Sequence, residues 1–145
     1  HIHDQQSVML QLYKFLKPGG RIFFGFPPWR MPFGGHQQIC HSKFLSKLPF
    51  FHLLPMPIYK VVLKLFGEKP EDLIEIKETG ISIAQFEKIA LKANFKIVKQ
   101  LHYLINPIYE YKFGLKPRKQ WSLITKIPYF KDFLTTCVFY LVEKK

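Results

Sequence analysis

The sequence predicts an α/β layer fold carrying an inserted helical cap, on three observations. A helix-periodic segment at 4–16 runs through a Pro-Gly-Gly stop into an unbroken apolar strand at 21–26. A capped amphipathic helix at 81–94 leads into an alternating strand at 95–103, and a second apolar run closes the chain near 135–142. Helix followed by strand, twice over, is the pattern of helices laid against a sheet.

In the first helix, Val8, Leu12, Phe15 and Leu16 recur at helical spacing; Asp4 is placed to cap the start and Lys17-Pro18-Gly19-Gly20 to stop it. The run Arg21-Ile-Phe-Phe-Gly-Phe26, bounded by Gly-Gly and Pro-Pro, is expected to be a central strand covered on both faces. Ser82 and Gln85 form a capping box, Ile81 can staple onto Phe86, and Phe86, Ile89, Ala90 and Ala93 make the buried stripe of the next helix. In 95–103, Phe95, Ile97, Leu101 and Tyr103 fall on one face and Lys96, Val98, Gln100 and His102 on the other, with an imperfection at Val98-Lys99. That alternation suits a half-exposed edge strand. Cys137 to Val142 has no polar break and reads as buried on both faces.

Two stretches fit none of these elements. Residues 27–80 hold seven of the eleven prolines, and a structureless loop of that length is foreign to a compact domain, so an inserted cap is expected, with amphipathic pieces at 44–48 and 58–66. Residues 104–134 form a second long connection, rich in Tyr, Lys and Pro.

The 145 residues suit one domain, and 48% hydrophobic with 17% aromatic content excludes a wholly disordered chain. Lys plus Arg is 22 against 10 Asp plus Glu, a net charge of +12 that favours polyanions or anionic surfaces as neighbours without naming one. Cys40 and Cys137 give no disulfide framework and fit a reducing cytoplasm, the expected location. The longest apolar stretch, 48–59, is broken by Pro49, His52, Pro55 and Pro57 and is too short to span a bilayer. There is no signal-peptide pattern and no starting Met, and His1-Ile2-His3-Asp4 reads as the middle of something, so a fragment is expected.

The order helix, Leu16-Lys17-Pro18-Gly19-Gly20-Arg21, apolar strand, Pro-Pro, helix, strand, strand resembles the C-terminal half of a class I S-adenosylmethionine-dependent methyltransferase, of the group that includes quinone-biosynthesis enzymes. His1-Ile2-His3-Asp4 is similar to the stretch after that family's fourth strand. The resemblance covers 1–26 and 81–143, and 27–80 is loosely like the family's substrate-binding insertion. It implies part of a doubly wound, Rossmann-like sheet with strands in the order five, seven, six, the seventh antiparallel, and S-adenosylmethionine as cofactor. The family's glycine-rich turn and ribose-binding acid would lie before His1, and the chain contains no Gly-x-Gly. The 145 residues alone are therefore expected to be inactive, with an unpaired edge at 21–26 open to self-association.

Ligands of doubly wound sheets bind at the carboxyl ends of the strands, which points to Phe26-Pro27-Pro28-Trp29 and the cap. His36, after Gly34-Gly35, is the candidate base or substrate contact: imidazole titrates near neutrality, and a Gly-Gly turn lets backbone approach a ligand. The alternative is an exposed loop histidine. Pro28, Trp29, Arg30, Phe33, Gln37 and Tyr59 are candidates to line a substrate pocket, against the commoner use of such residues in packing. His1 and His3 are assigned to the cofactor side by the resemblance. His36, Cys40 and His41 lack a second Cys/His pair at zinc spacing, so no metal is expected. The leading expectation is methyl transfer to a small-molecule acceptor. The alternative is a non-catalytic module that binds RNA or an anionic membrane through Lys112, Lys116, Arg118, Lys119, Lys126 and Lys131 with Tyr109, Tyr111, Trp121 and Tyr129 among them. No nucleic-acid motif accompanies that loop. A third option is a methyltransferase-like piece kept for structure or interaction alone.

Overall fold

Helix α1 (Gln5–Phe15) begins where Asp4 can cap it: the carboxylate accepts from the Ser7 hydroxyl at 2.6 Å and the Ser7 N–H at 2.9 Å. Those bonds hold the Asp4 carboxyl below its ordinary pKa. The structure, a computed structural model, describes residues 2–145, so the expectation for His1 lies outside the described residues. After α1 the Gly20 N–H closes on the Lys17 carbonyl at 2.8 Å, and Gly19 takes φ +73°, the left-handed value a Pro-Gly turn requires after its proline. Gly19 and Gly20 both bond to Lys144, which fastens this turn to the far end of the last strand.

The predicted stripe of α1 is corrected. Met9, Tyr13 and Leu16 face the core, with Tyr13 edge-on to Phe95 at 5.1 Å between centroids, while Phe15 is 85% exposed. Two apolar stripes overlap in this helix, and the one carrying the Tyr13–Phe95 contact is the one that is buried.

The chain is a mixed α/β protein with four strands and, among the described residues, seven α-helices. Strands β1 (Arg21–Phe26), β2 (Phe95–Ile105), β3 (Arg118–Lys119) and β4 (Cys137–Lys144) lie in the order β1-β4-β2-β3, every neighbouring pair antiparallel. Because β4 runs against both β1 and β2, those two are parallel to each other and their carboxyl ends share one edge of the sheet.

Helix α4 (Ile83–Lys92) forms as its sequence predicts, Ser82 accepting from the Gln85 N–H at 3.2 Å, although the Gln85 side chain reaches Gln5 instead of closing the box. Its stripe of Phe86, Ile89 and Ala90 meets Val138, Tyr140 and Val142 of β4. Phe86 packs against Phe24, Phe26 and Tyr140 at 4.8–5.2 Å between ring centroids.

The strands differ from expectation in their covering, in one register and at the edge of the sheet: β2, expected to be an edge strand, is flanked by β4 on one side and by the two-residue β3 on the other. β1 is covered on one face only: Ile22, Phe24 and Phe26 join the core, but Phe23 is 65% exposed and stacks on Phe139 at 5.4 Å. Among the described residues β1 pairs with β4 alone, so it ends the sheet there. In β2 the register slips between Ile97 and Lys99, at the point where the alternation falters. A bulge there flips the later residues. Phe95 and Ile97 face the core, whereas beyond the bulge it is His102, opposite Val138, that turns inward, and Leu101 and Tyr103 turn to the other face. β4 is fully buried on its core face, and Phe139 and Leu141 on its other face are half-buried.

The segment 27–80 has its own small core of Cys40, Leu45, Phe51, Tyr59, Leu63 and Leu73, built from single helical turns, α2 (Met56–Leu65) and α3 (Pro70–Thr79). Pro70 at the first position of α3 and Glu71 and Asp72 in its first turn are ordinary helix-start signals. The connection after β2 carries α5 (Ile108–Phe113), β3, α6 (Ser122–Thr125) and α7 (Phe130–Phe133). No described helix is long and apolar enough to cross a membrane.

Candidate functional site

Both long connections leave from the carboxyl ends of the parallel strands β1 and β2, so they meet above one edge of the sheet. One contact there closes the cap on itself and another joins the two connections. The Trp29 N–H donates to the Ile81 carbonyl at 2.8 Å, tying the entry of the cap to its exit. Asp132 of α7, 1% exposed, accepts from the Ile83 N–H at 3.1 Å with Oδ1 and stands 3.7 Å from an Arg30 guanidinium nitrogen with Oδ2. Burial pushes the Asp132 carboxyl above its ordinary pKa, the Ile83 bond and Arg30 working against that shift. Arg30 also lies over the Tyr129 ring at 5.2 Å.

A polar chain runs beneath. Lys131 pairs with Glu87 at 3.1 Å, Tyr140 donates to Glu87 at 2.7 Å, and His102 Nε2 lies 3.5 Å from the Tyr140 hydroxyl. His102 is buried, its pKa lowered chiefly by that burial, and its Nδ1 has no hydrogen-bond partner.

In the cap, Trp29 and Gln37 come together around His52, and Tyr59 stacks on the neighbouring Phe51. The fully buried His52 places Nε2 2.8 Å from the Trp29 carbonyl and Nδ1 3.5 Å from Gln37 Nε2, and burial pushes its pKa down to about 4. Lys77 donates to the His52 carbonyl and sits over the Tyr59 and Trp29 rings at 5.0 and 5.6 Å, its own pKa lowered by burial. Gln37 and Tyr59 are wholly buried here, inside the cap. Pro28 is buried, and Trp29 and Arg30 are half-buried in the contacts just described. The Gly34-Gly35 turn also serves the interior. A Cβ on Gly34 would stand 2.1 Å from the Trp29 carbonyl oxygen, and one on Gly35 would stand 2.3 Å from the His52 Cβ. His36 follows at φ +52°, half-buried, with its pKa lowered by burial. Cys40 sits in the cap core, its thiol pushed up to about 11 by burial and by Glu68, which accepts from the His41 and Ser42 N–H groups at 3.0 and 2.7 Å.

A cleft of about 620 Å³ opens between the two connections. Phe33, Ser46 and Lys47 wall it from the cap, and Tyr109, Lys112 and Phe113 from α5. Its size is that of a small-molecule site. Of the residues weighed in the sequence, Phe33, Tyr109 and Lys112 line it, and His36 stands just behind, its N–H on the Phe33 carbonyl at 3.3 Å. Lys47, Phe113, His52, Lys77 and the Asp132–Arg30 pair went unmarked in the sequence. The one available signal was Asp132, a lone acid in the basic run 111–142.

The residues present do not fit S-adenosylmethionine. The cleft offers no carboxylate for the ribose hydroxyls of the donor. Nor does a nucleophile and base pair converge in it: the arrangement can hold and orient a molecule with an apolar body. No protein-family model, no curated protein and no solved structure matches this chain.

Proposed function

We propose that the chain is the acceptor-holding part of a methyltransferase, with the cleft between cap and α5 as the site for a small-molecule acceptor. The observation that carries this reading is the sheet. An antiparallel β4 lies between parallel β1 and β2, the order that the methyltransferase resemblance implies for strands five, seven and six. β1 has an unpaired edge, and apolar side chains stand exposed on the face beside it, Phe23 foremost. An edge of that kind is suited to a further strand and layer, and the donor would be held there instead of in the cleft. Methyl transfer from a sulfonium is a displacement in which alignment alone contributes on the order of 7–11 kcal/mol, so orienting the acceptor is this chain's part of the chemistry.

The test is to incubate the complete product of the gene encoding these residues with methyl-labelled donor and a metabolite extract. Labelled small-molecule product supports the reading. Absence of both donor binding and label transfer overturns it.

A second reading is favoured by the connection after β2. Tyr111, Trp121 and Leu123 are 92%, 72% and 72% exposed among Lys116, Arg118, Lys119 and Lys126, which form no ion pairs among the described residues. In this reading the segment docks on an anionic bilayer, where aliphatic Leu123 and Ile127 find acyl chains that RNA would not offer. Salt-sensitive flotation with phosphatidylserine vesicles, lost in Trp121→Ala/Leu123→Ala, is its expected signature. Equal flotation of that variant would exclude it.

A further inference from the structure

The chemistry of the cleft walls is divided in two. Phe33, Phe113 and Leu115 present apolar surface that is 40%, 65% and 48% exposed. Lys47 and Lys112 line the same space, neither has an ion-pair partner among the described residues, and no Asp or Glu lines the cleft. Two unneutralised cations sharing a cleft disfavour a cationic ligand and favour an anionic one. The remaining polar wall is thin: Gln38, Ser46 and Tyr109. A sugar or nucleotide would need more hydrogen-bond donors than these, because a buried hydroxyl without a partner is costly. An extended apolar chain needs none, and it would remove the exposed Phe113 and Leu115 surfaces from water.

We infer that the cleft takes a free single-chain amphiphile with an anionic head, of the class of a long-chain carboxylate: its chain lies against Phe33, Phe113 and Leu115, and its head is met by Lys47 and Lys112. This rests on the cleft being the acceptor site and names the class of that acceptor.

The test is a fluorescence titration of the 145-residue chain with dansyl-undecanoate, the matching alcohol and the matching trimethylammonium compound, with and without phosphatidylglycerol vesicles. The carboxylate binds saturably and one-to-one without vesicles, and the alcohol binds about tenfold more weakly. Lys47→Glu/Lys112→Glu weakens the carboxylate by at least about tenfold, while Lys88→Glu/Lys96→Glu, with the same change in net charge outside the cleft, stays within about twofold. Phe113→Asp weakens the carboxylate and also the alcohol, whose loss reads the apolar contact without charge repulsion. These side chains are exposed, and unchanged near-UV circular dichroism confirms that each variant is folded. The inference is overturned by equal affinity for the three heads, by equal effects of the two double reversals, by indifference to Phe113→Asp, by binding only on vesicles, or by a dimer that covers the cleft. The assay needs no donor. A transferase without carboxylate binding would refute this class and keep the proposed function, and the reverse result would do the opposite.

Discussion

Replacing Asp132 separates the hydrogen bond it makes from the charge it carries. Oδ1 accepts from the Ile83 N–H, the first helical residue of α4, at 3.1 Å, and both residues are shut away from water. Asp132→Ala leaves that N–H without a partner, and losing a hydrogen bond to a charged acceptor costs about 1.5–3 kcal/mol. The charge is a different matter. Arg30 at 3.7 Å offers roughly 4 kcal/mol of gross attraction at an effective dielectric of 20. Yet burial raises the Asp132 pKa in spite of Arg30, so desolvation outweighs the ion pair. Asp132→Asn keeps an oxygen for Ile83 and removes the desolvated charge, and it is expected to fall within about 1 kcal/mol of the parent. Urea unfolding at pH 7, followed by far-UV circular dichroism, measures both. The expected order is parent and Asn close together, with Ala lower by about 2–3 kcal/mol. If Asn is as damaging as Ala, the Arg30 pair and not the α4 bond holds the connection, and the reasoning fails.

The other expectations can be stated together. His52 has a folded pKa of about 4 against about 6.5 when unfolded, so the unfolded chain binds the extra proton first and stability falls as pH drops from about 6.5 to about 4, by up to about 1.4 kcal/mol per pH unit. Burial of His102 shifts its pKa in the same direction; His52→Gln should flatten the slope in chemical unfolding across that window, and an unchanged slope would refute the assignment to His52. Sedimentation velocity should show concentration-dependent self-association through the β1 edge, weakened in Phe23→Glu with stability changed by no more than about 1 kcal/mol; a strictly monomeric parent contradicts it. On the methyl-transfer proposal, His36→Ala in the complete gene product should lower turnover more than donor affinity, and unchanged kinetics would leave His36 a loop residue.

What could be read in advance follows from how local its cause is. The Asp4 and Ser82 caps, the Pro18-Gly19 turn and the α4 stripe are settled by residues within one or two turns of one another, and each is found where the sequence puts it. The α1 stripe and the β1 covering depend on what the rest of the chain places against them, and there the sequence misleads: Phe15 and Phe23 look like core residues and are exposed. The bulge in β2 was half-visible, since Val98-Lys99 broke the alternation, but its consequence, His102 turned inward, needed the register with β4. In the cap, single turns around prolines have no period to detect, and Gly34-Gly35, which invites a ligand reading, makes room for Trp29 and His52. The cleft had no signature, because Phe33 and Leu115 are brought together by two separate connections.

The claim on which the rest depends is that the open side of β1 receives another strand in the working protein. Amide hydrogen exchange over 21–26, compared between the 145-residue chain and the complete gene product, tests it most directly. The account predicts that amides of β1 pointing away from β4 exchange fast in the chain alone and become protected in the complete product. Equal exchange in both would contradict it.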